Sequence, residues 1–263
     1  MALYIRRNLK WYLYPDVIFF MTPSGIKDLL LVRKMRSLVK VLVDRKSKQQ
    51  HTKGMSSCKD LFEYIVSGRK KYSALCDNAV ELLVERRGIV TGSNWTLYYL
   101  AKYPKYQKII RNELRTLFDD EEKMRKDIRE SDFQQLSVTN MFMKEVLRIC
   151  PPTPHVERTI TKETCIDGIT FPAGTSFYVN INGLHHNELL WDAPNDFNPE
   201  RFKNNTAFDV SKYAPFSAYS RRCVAKNFAT ECITMIVARI LQRYELSMDE
   251  DFVVSKRVDI TQN

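Results

Sequence analysis

Apolar residues in positions 1–150 recur at the three- and four-residue spacing of α-helices. After Pro23, the apolar positions from Ile26 to Leu42 have basic residues between them, so a long amphipathic helix is predicted over residues 26–46. A polar linker, residues 47–57, follows. Further helices are predicted over residues 58–66, about 72–102, 105–117 and 136–149.

The pattern changes at residue 155. Residues 155–182 carry short alternating segments, with turn signals at Asp167-Gly168 and Pro172-Ala173-Gly174, and are predicted to form strands. Residues 192–220 show no sustained period, and an irregular stretch of that length in a compact domain is usually functional. An apolar stripe after Cys223 predicts a buried helix. The predicted fold class is therefore mainly α with a small β-sheet.

Composition excludes several classes of protein. The 263 residues are 44% hydrophobic and 27% charged, which are globular values, so a disordered or fibrous chain is excluded. No run of 18 apolar residues occurs, so we expect no membrane anchor in this chain. Six cysteines without Cys-x-x-Cys spacing argue against a disulfide scaffold or a zinc site and indicate a reducing compartment.

The positive charge is concentrated near the start of the chain. Residues 1–72 carry a net charge of +11, whereas residues 73–263 carry −1. Such a block attracts nucleic acids or anionic membrane surfaces, although a solvated helix face is the commoner case. Interleaved aromatic residues favour peripheral membrane contact through residues 1–72, and no motif supports a nucleic-acid partner.

Cys223 is the first residue of chemical interest, because it stands between an irregular loop and an apolar helix. A helix N-terminus and the neighbouring Arg221 and Arg222 favour a thiolate, but taken alone a buried structural cysteine is the commoner case. The segment from Phe216 to Ala225 resembles the cysteine loop of haem-thiolate monooxygenases, the cytochrome P-450 superfamily. That resemblance implies haem b (iron protoporphyrin IX), with Cys223 as the axial metal ligand, Arg221 on a propionate and Phe216 beside the sulfur.

Two further motifs precede the cysteine loop in the order that the family shows. Glu145-Val146-Leu147-Arg148 resembles its Glu-x-x-Arg, and Asn198-Pro199-Glu200-Arg201-Phe202 resembles the loop that completes a buried charged triad. The resemblance implies that Glu145, Arg148 and Arg201 form this structural triad. Arg158 stands where the family has a second arginine that binds a propionate. Three motifs in one order are strong evidence, whereas any one of them alone is weak.

The chain departs from the family pattern at two places. Tyr219 replaces a small residue, nearly always glycine, in the cysteine loop. Leu100-Ala101-Lys102-Tyr103-Pro104 resembles the end of the family's oxygen-activating helix, and counting back from it puts Arg87-Gly88 where an acid and a threonine are usual. A gapped register puts Asn94-Trp95 there instead. Neither register restores the pair, and Thr91 is the remaining candidate for a catalytic hydroxyl.

These resemblances imply one incomplete cytochrome P-450 domain over residues 1–263: a helical part (1–150), a sheet and meander (151–220) and a haem-loop helix (221–245). The implied function is a monooxygenase that hydroxylates an apolar substrate (a fatty acid, a steroid or a xenobiotic), impaired at the two departures. Residues 14–25 are similar to the fatty-acid ω-hydroxylase branch. The implied electron donor is a flavoprotein reductase, and the implied location is the cytosolic face of the endoplasmic reticulum membrane. A haem-free or inactive helical interaction protein is the alternative.

Overall fold

The computed structural model describes residues 12, 15–50, 72–117, 130–203, 209–249 and 251. The chain divides into two compact units, Met1–Arg87 and Gly88–Asn263. The helices are α1 (Asp16–Met21), α2 (Pro23–Gln50), α3 (Tyr72–Lys102), α4 (Pro104–Leu117), α5 (Glu130–Gln135), α6 (Ser137–Ile149), α7 (Ile181–His185) and α8 (Lys226–Arg243). The strands are β1 (His155–Thr159), β2 (Thr164–Ile166), β3 (Ile169–Phe171) and β4 (Ser176–Asn180). The predicted fold class is confirmed.

The predicted helices are found with small differences at their ends. Pro23 opens α2 at the first helical position, where its missing N–H costs nothing, and the Thr22 hydroxyl accepts a hydrogen bond from the Gly25 N–H at 3.0 Å. Pro104 opens α4 in the same way and ends α3 at Lys102. The helix predicted over residues 58–66 lies outside the described residues.

In the first unit, α2 and the start of α3 share a small core of Val39, Val43, Cys76 and Ala79. Much of the apolar surface of α2 is nevertheless exposed, including Leu30, Leu31 and Leu38 at 53–59%. Among the described helices, none is both long enough and apolar enough to cross a membrane.

The second unit contains the main core, which is formed by the second half of α3 together with α4, α6 and α8. Gly92 lies at a close contact between α3 and α8, because a Cβ there would lie 2.7 Å from Cδ1 of Ile233. Only glycine allows two helices to pack at that distance without moving a side chain. This packing holds α8, the helix after Cys223, firmly against the core.

The N-terminus of α6 is capped by a carboxylate from another helix. Leu136, at the N-cap position, has no side-chain oxygen to offer. Glu113 on α4 instead accepts hydrogen bonds from the backbone N–H groups of Val138 (2.8 Å) and Thr139 (2.9 Å). A negative group at this end also complements the helix dipole. The cap fixes the start of the helix that carries Glu145 and Arg148.

The strands form two separate antiparallel pairs. β1 pairs with β4, with Arg158 opposite Phe177, and β2 pairs with β3 through a hairpin. Asp167 and Gly168 both have positive φ (48° and 80°), as the two central residues of a type I′ hairpin turn require. The Asp-Gly turn signal in the sequence is the reason that β2 and β3 pair where they do.

Candidate functional site

Glu145 lies at the centre of a buried network of charges. Both of its oxygens bind Arg148, with Nε at 2.8 Å and Nη2 at 2.9 Å, and neither side chain is exposed to solvent. Oε1 also accepts from Nε of Arg201 at 3.1 Å and from the Asn198 N–H at 2.8 Å. The structure thus brings together the three residues that the motifs suggested, across a sequence separation of 56 residues.

Both arginines use their remaining donors on the last residue of α7 and on the loop that follows it, up to residue 198. Arg148 donates to the backbone carbonyls of His185 (2.7 Å), Pro194 (2.7 Å) and Asp196 (3.1 Å). Arg201 donates to the carbonyl of Asp192 at 2.9 Å. This satisfies the buried guanidinium groups and fixes an irregular loop that has no regular secondary structure to order it.

A short 3₁₀ turn, Pro199–Phe202, places Arg201 within reach of Glu145. The turn begins because the Asn198 side chain accepts a hydrogen bond from the Glu200 N–H and because Pro199 occupies the first position. Phe202 anchors the turn in a second cluster with Trp191 and Tyr213. The Trp191 ring also contacts cations, with Arg148 at 5.1 Å and Lys212 at 4.7 Å from its centroid.

His185 is part of this network, although no sequence motif singles it out. The adjacent pair His185-His186 is typical of a polar loop, but His185 ends α7 and is completely buried. Its Nε2 accepts from the Ala214 N–H at 3.0 Å, so its Nδ1 carries the proton and donates to the Arg148 carbonyl at 3.2 Å. As a neutral ring, His185 therefore links α6 to Ala214, two residues before the cysteine loop begins.

Burial, together with the positive charge of Arg148, lowers the pKa of His185 from 6.5 to about 4. As the pH falls, the imidazole of His185 therefore takes up a proton in the unfolded chain before it does so in the folded chain. Its contribution to the free energy of unfolding is present above pH 6.5 and is lost as the pH falls towards 4. We expect the lowered pKa of His185 to reduce the free energy of unfolding by about 2 kcal/mol between pH 7 and pH 5. Urea unfolding at both pH values measures this loss.

The matched control for this experiment is its neighbour, His186, which is only partly buried. His185→Gln should flatten the dependence of unfolding free energy on pH in this range, whereas His186→Gln should leave it as steep as in the unsubstituted chain. Equal slopes in the two variants would contradict the assignment.

The cysteine loop is closed by backbone hydrogen bonds, one of which involves Cys223 itself. The Cys223 N–H donates to the Phe216 carbonyl at 2.8 Å, and the Phe216 side chain packs against the main core. Cys223 is exposed and stands three residues before Lys226, the first residue of α8. Next to it, Val224 is fully exposed and Phe228 is 52% exposed. An exposed thiol thus lies beside exposed apolar side chains.

Two arginines lie along this loop. Arg158 on β1 donates from Nη2 to the Ser217 hydroxyl at 2.9 Å and to the Arg221 carbonyl at 3.5 Å, which joins the strand to the loop. Within the described part of the chain, neither Arg158 nor Arg221 forms an ion pair with a carboxylate. Their charges therefore remain available to an anionic ligand.

Tyr219 adopts a backbone conformation that normally requires glycine. Its φ is 54° and its side chain is 79% exposed, so the ring fills no pocket that would compensate for the strained backbone. For an ordinary side chain this left-handed region costs roughly 1–2 kcal/mol. Ser217, two residues earlier, also has positive φ, at 60°. The left-handed backbone thus gives a conformational reason for the small residue that the family has where this chain has Tyr219.

Thr91 is buried in α3 at 4% exposure, in the half of the helix that packs in the second unit. A second buried hydroxyl, Ser93, has no hydrogen-bond partner among the described residues. Thr96, one turn further, donates to the Gly92 carbonyl at 2.7 Å. The hydroxyl groups of this segment of α3 therefore lie inside the protein. The catalytic role of Thr91 stays a prediction.

The family model described as Cytochrome P450 matches residues 8–258, nearly the whole chain. The chain belongs to the cytochrome P450 family. Pig cytochrome P450 4A24 is 31% identical over 257 residues, covering 92% of this chain and 50% of that protein. Human cytochrome P450 4Z1 is 38% identical over 159 residues, covering 59% of this chain and 31% of that protein. The resemblance to the cytochrome P450 superfamily is confirmed.

A solved cytochrome P450, CYP102L1, has the same fold with a TM-score of 0.78 and 18% identity, and the match covers 93% of this chain and 57% of that one. Another relative is the pig taurochenodeoxycholic 6 alpha-hydroxylase, 31% identical over 90% of this chain and 49% of its own length. The chain therefore spans about half the length of the curated relatives that it matches, with a partial cytochrome P450 fold.

Proposed function

We propose that this chain forms the haem-binding part of a cytochrome P450 monooxygenase, with Cys223 as the axial ligand of haem b. The observation that carries the proposal is the cysteine loop, which presents an exposed thiol beside the apolar Val224 and Phe228. Haem combines an iron that accepts thiolate, a broad apolar surface and two anionic propionates. The residues around Cys223 fit each of these three features.

Different residues of the chain would bind different parts of haem. Arg158 and Arg221 bind the propionates, because each has donors and positive charge without a carboxylate partner among the described residues. Phe216 packs the loop against the core. The network of Glu145, Arg148 and Arg201 positions the loop from a distance and takes no part in the chemistry. Bound haem would supply the activation of dioxygen for hydroxylation.

The proposed substrate is a small apolar molecule such as a fatty acid, a steroid or a xenobiotic. The similarity of residues 14–25 to the fatty-acid ω-hydroxylase branch favours a fatty acid. A flavoprotein reductase would provide the electrons. The proposed location is the cytosolic face of the endoplasmic reticulum membrane, with the basic residues 1–72 contacting anionic lipid.

A carbon monoxide spectrum tests the axial ligand directly. Haem-loaded protein, reduced and exposed to carbon monoxide, should show the strongly red-shifted Soret band of a thiolate ligand, and Cys223→Ser should abolish that band, because a hydroxyl does not replace a thiolate on iron. Cys165→Ser is the matched control, since Cys165 is also exposed but lies on β2.

Persistence of the thiolate band in Cys223→Ser would refute the assignment of this ligand. Absence of any haem band in the unsubstituted chain would refute haem binding and favour the haem-free interaction protein.

A further inference from the structure

A basic cleft lies within the first unit, between α2 and the start of α3. Its volume is about 420 Å³, within the range of roughly 300–1,000 Å³ that small-molecule sites occupy. The lining residues are Arg33, Arg36, Ser37, Lys40, Ser73, Cys76 and Asp77. Cys76 is buried and belongs to the small core below, so the cleft has a packed apolar floor and a charged rim.

Three cations on one face of α2 form most of this rim. Arg33, Arg36 and Lys40 are spaced at i, i+3 and i+7, which brings them to the same side of the helix. Arg36 donates to Oδ1 of Asp77 at 3.2 Å, which ties it to α3. Among the described residues, no carboxylate pairs with Arg33 or Lys40. The lining of the cleft thus has two more cations than carboxylates.

The excess charge defines the chemistry of a ligand. A phosphomonoester carries a charge of about −1.5 to −2 at neutral pH, which two free cations would balance. The planar guanidinium of Arg33 suits bidentate binding of phosphate oxygens, whereas Lys40 acts as a point charge. Of the two serines in the lining, Ser73 has a hydroxyl of the type that donates to a further phosphate oxygen, whereas the Ser37 hydroxyl already donates to the Lys34 carbonyl at 2.7 Å.

We propose that this cleft is a binding site for a phosphomonoester group, separate from the haem site. The group could belong to a soluble phosphate ester or to the headgroup of an anionic lipid, because both present the same dianion. Asp77 holds Arg36 across the cleft and competes with the ligand for it. The site is built wholly from residues of the first unit.

Phosphorus NMR titration of the full 263-residue chain tests the site with two soluble probes, inorganic phosphate and glycerol 3-phosphate. Vesicle co-sedimentation tests the lipid source, using phosphatidylcholine with phosphatidic acid and, at equal surface charge, phosphatidylcholine with phosphatidylserine. A soluble ligand should bind in the first experiment. A headgroup ligand should instead give preference for phosphatidic acid over phosphatidylserine.

A matched pair of double variants separates the site from general attraction to positive charge. Arg33→Gln/Lys40→Gln and Lys34→Gln/Arg45→Gln each remove one arginine and one lysine from exposed positions of α2, but only the first pair lines the cleft. The first should weaken binding at least about tenfold, the loss expected from two charge-assisted contacts, and the second less than about twofold. Equal losses would overturn the proposal, as would absence of binding to every probe.

Asp77→Asn is expected to bind the ligand more tightly than the unsubstituted chain. Removing the carboxylate frees Arg36 for the ligand, so binding should become about threefold tighter through one additional charge-assisted contact. Weaker or unchanged binding in Asp77→Asn would contradict the competition for Arg36 and with it the proposed mode of binding.

Discussion

Arg148→Ala is expected to lower the free energy of unfolding by about 3–5 kcal/mol and to prevent haem retention. The substitution leaves the Glu145 carboxylate buried without its bidentate partner, and it removes the donors to the carbonyls of His185, Pro194 and Asp196. The carboxylate then keeps its cost of desolvation, with only the contacts from Arg201 and the Asn198 N–H to offset it. Urea unfolding and the haem content of the purified protein measure the two effects.

Arg115→Ala is the control for this prediction, because Arg115 is exposed in the last turn of α4 and should change stability by less than about 0.5 kcal/mol. Arg148→Lys should fall between the two, since lysine keeps the charge but has no planar fork for Glu145. A soluble Arg148→Ala protein that retains haem and unfolds like the unsubstituted chain would contradict the role of the triad.

Turnover supported by a reductase is expected to be poorly coupled, so that most of the reduced nicotinamide consumed yields hydrogen peroxide. The physical reasons are the strained loop residue Tyr219 and the lack, in either register (Arg87-Gly88 or Asn94-Trp95), of the acid and threonine that the family has for proton delivery. Consumption of nicotinamide, peroxide release and product formation should be measured with a fatty acid and with a small drug-like amine. Tightly coupled hydroxylation of either substrate would refute the prediction.

Tyr219→Gly should relieve part of this defect and raise the unfolding free energy by about 0.5–1 kcal/mol. Glycine adopts a φ of 54° without strain, although its greater freedom in the unfolded chain offsets part of the gain. Ser220→Gly is the control, because φ of Ser220 is not positive and only the unfavourable entropy remains. Stabilisation by both variants would show that loop flexibility, and not the left-handed residue, is responsible.

The helices could be predicted from the sequence because their signals are local. The stretch assigned to residues 72–102 agrees with α3, since an apolar period runs along it and Pro104 forces it to end. The Asp167-Gly168 hairpin could be predicted for the same reason, as only a few residue types accept two consecutive positive φ angles. The predictions differ from the structure mainly at helix ends, where Thr22 and Pro23 begin α2 before the apolar pattern starts.

Other features depend on residues that are distant in the sequence. The importance of His185 was not predicted, because a histidine next to another histidine gives no sign that Arg148 and Ala214 meet its two nitrogens. The cap on α6 was not predicted either, since its carboxylate comes from Glu113, 25 residues before the N–H of Val138. A cap supplied from another helix leaves no pattern next to the helix that it stabilises.

By itself, the sequence determined which segments are helical, where prolines and glycines end them, and which residue types the candidate haem site contains. The tertiary structure decided how those residues meet: that Glu145 binds both Arg148 and Arg201, that Arg158 reaches the loop of Cys223, and that Tyr219 has a left-handed backbone. Periodicity and turn chemistry act over a few residues and can be read locally. Burial and charge pairing depend on the approach of distant segments, which only the packed core establishes.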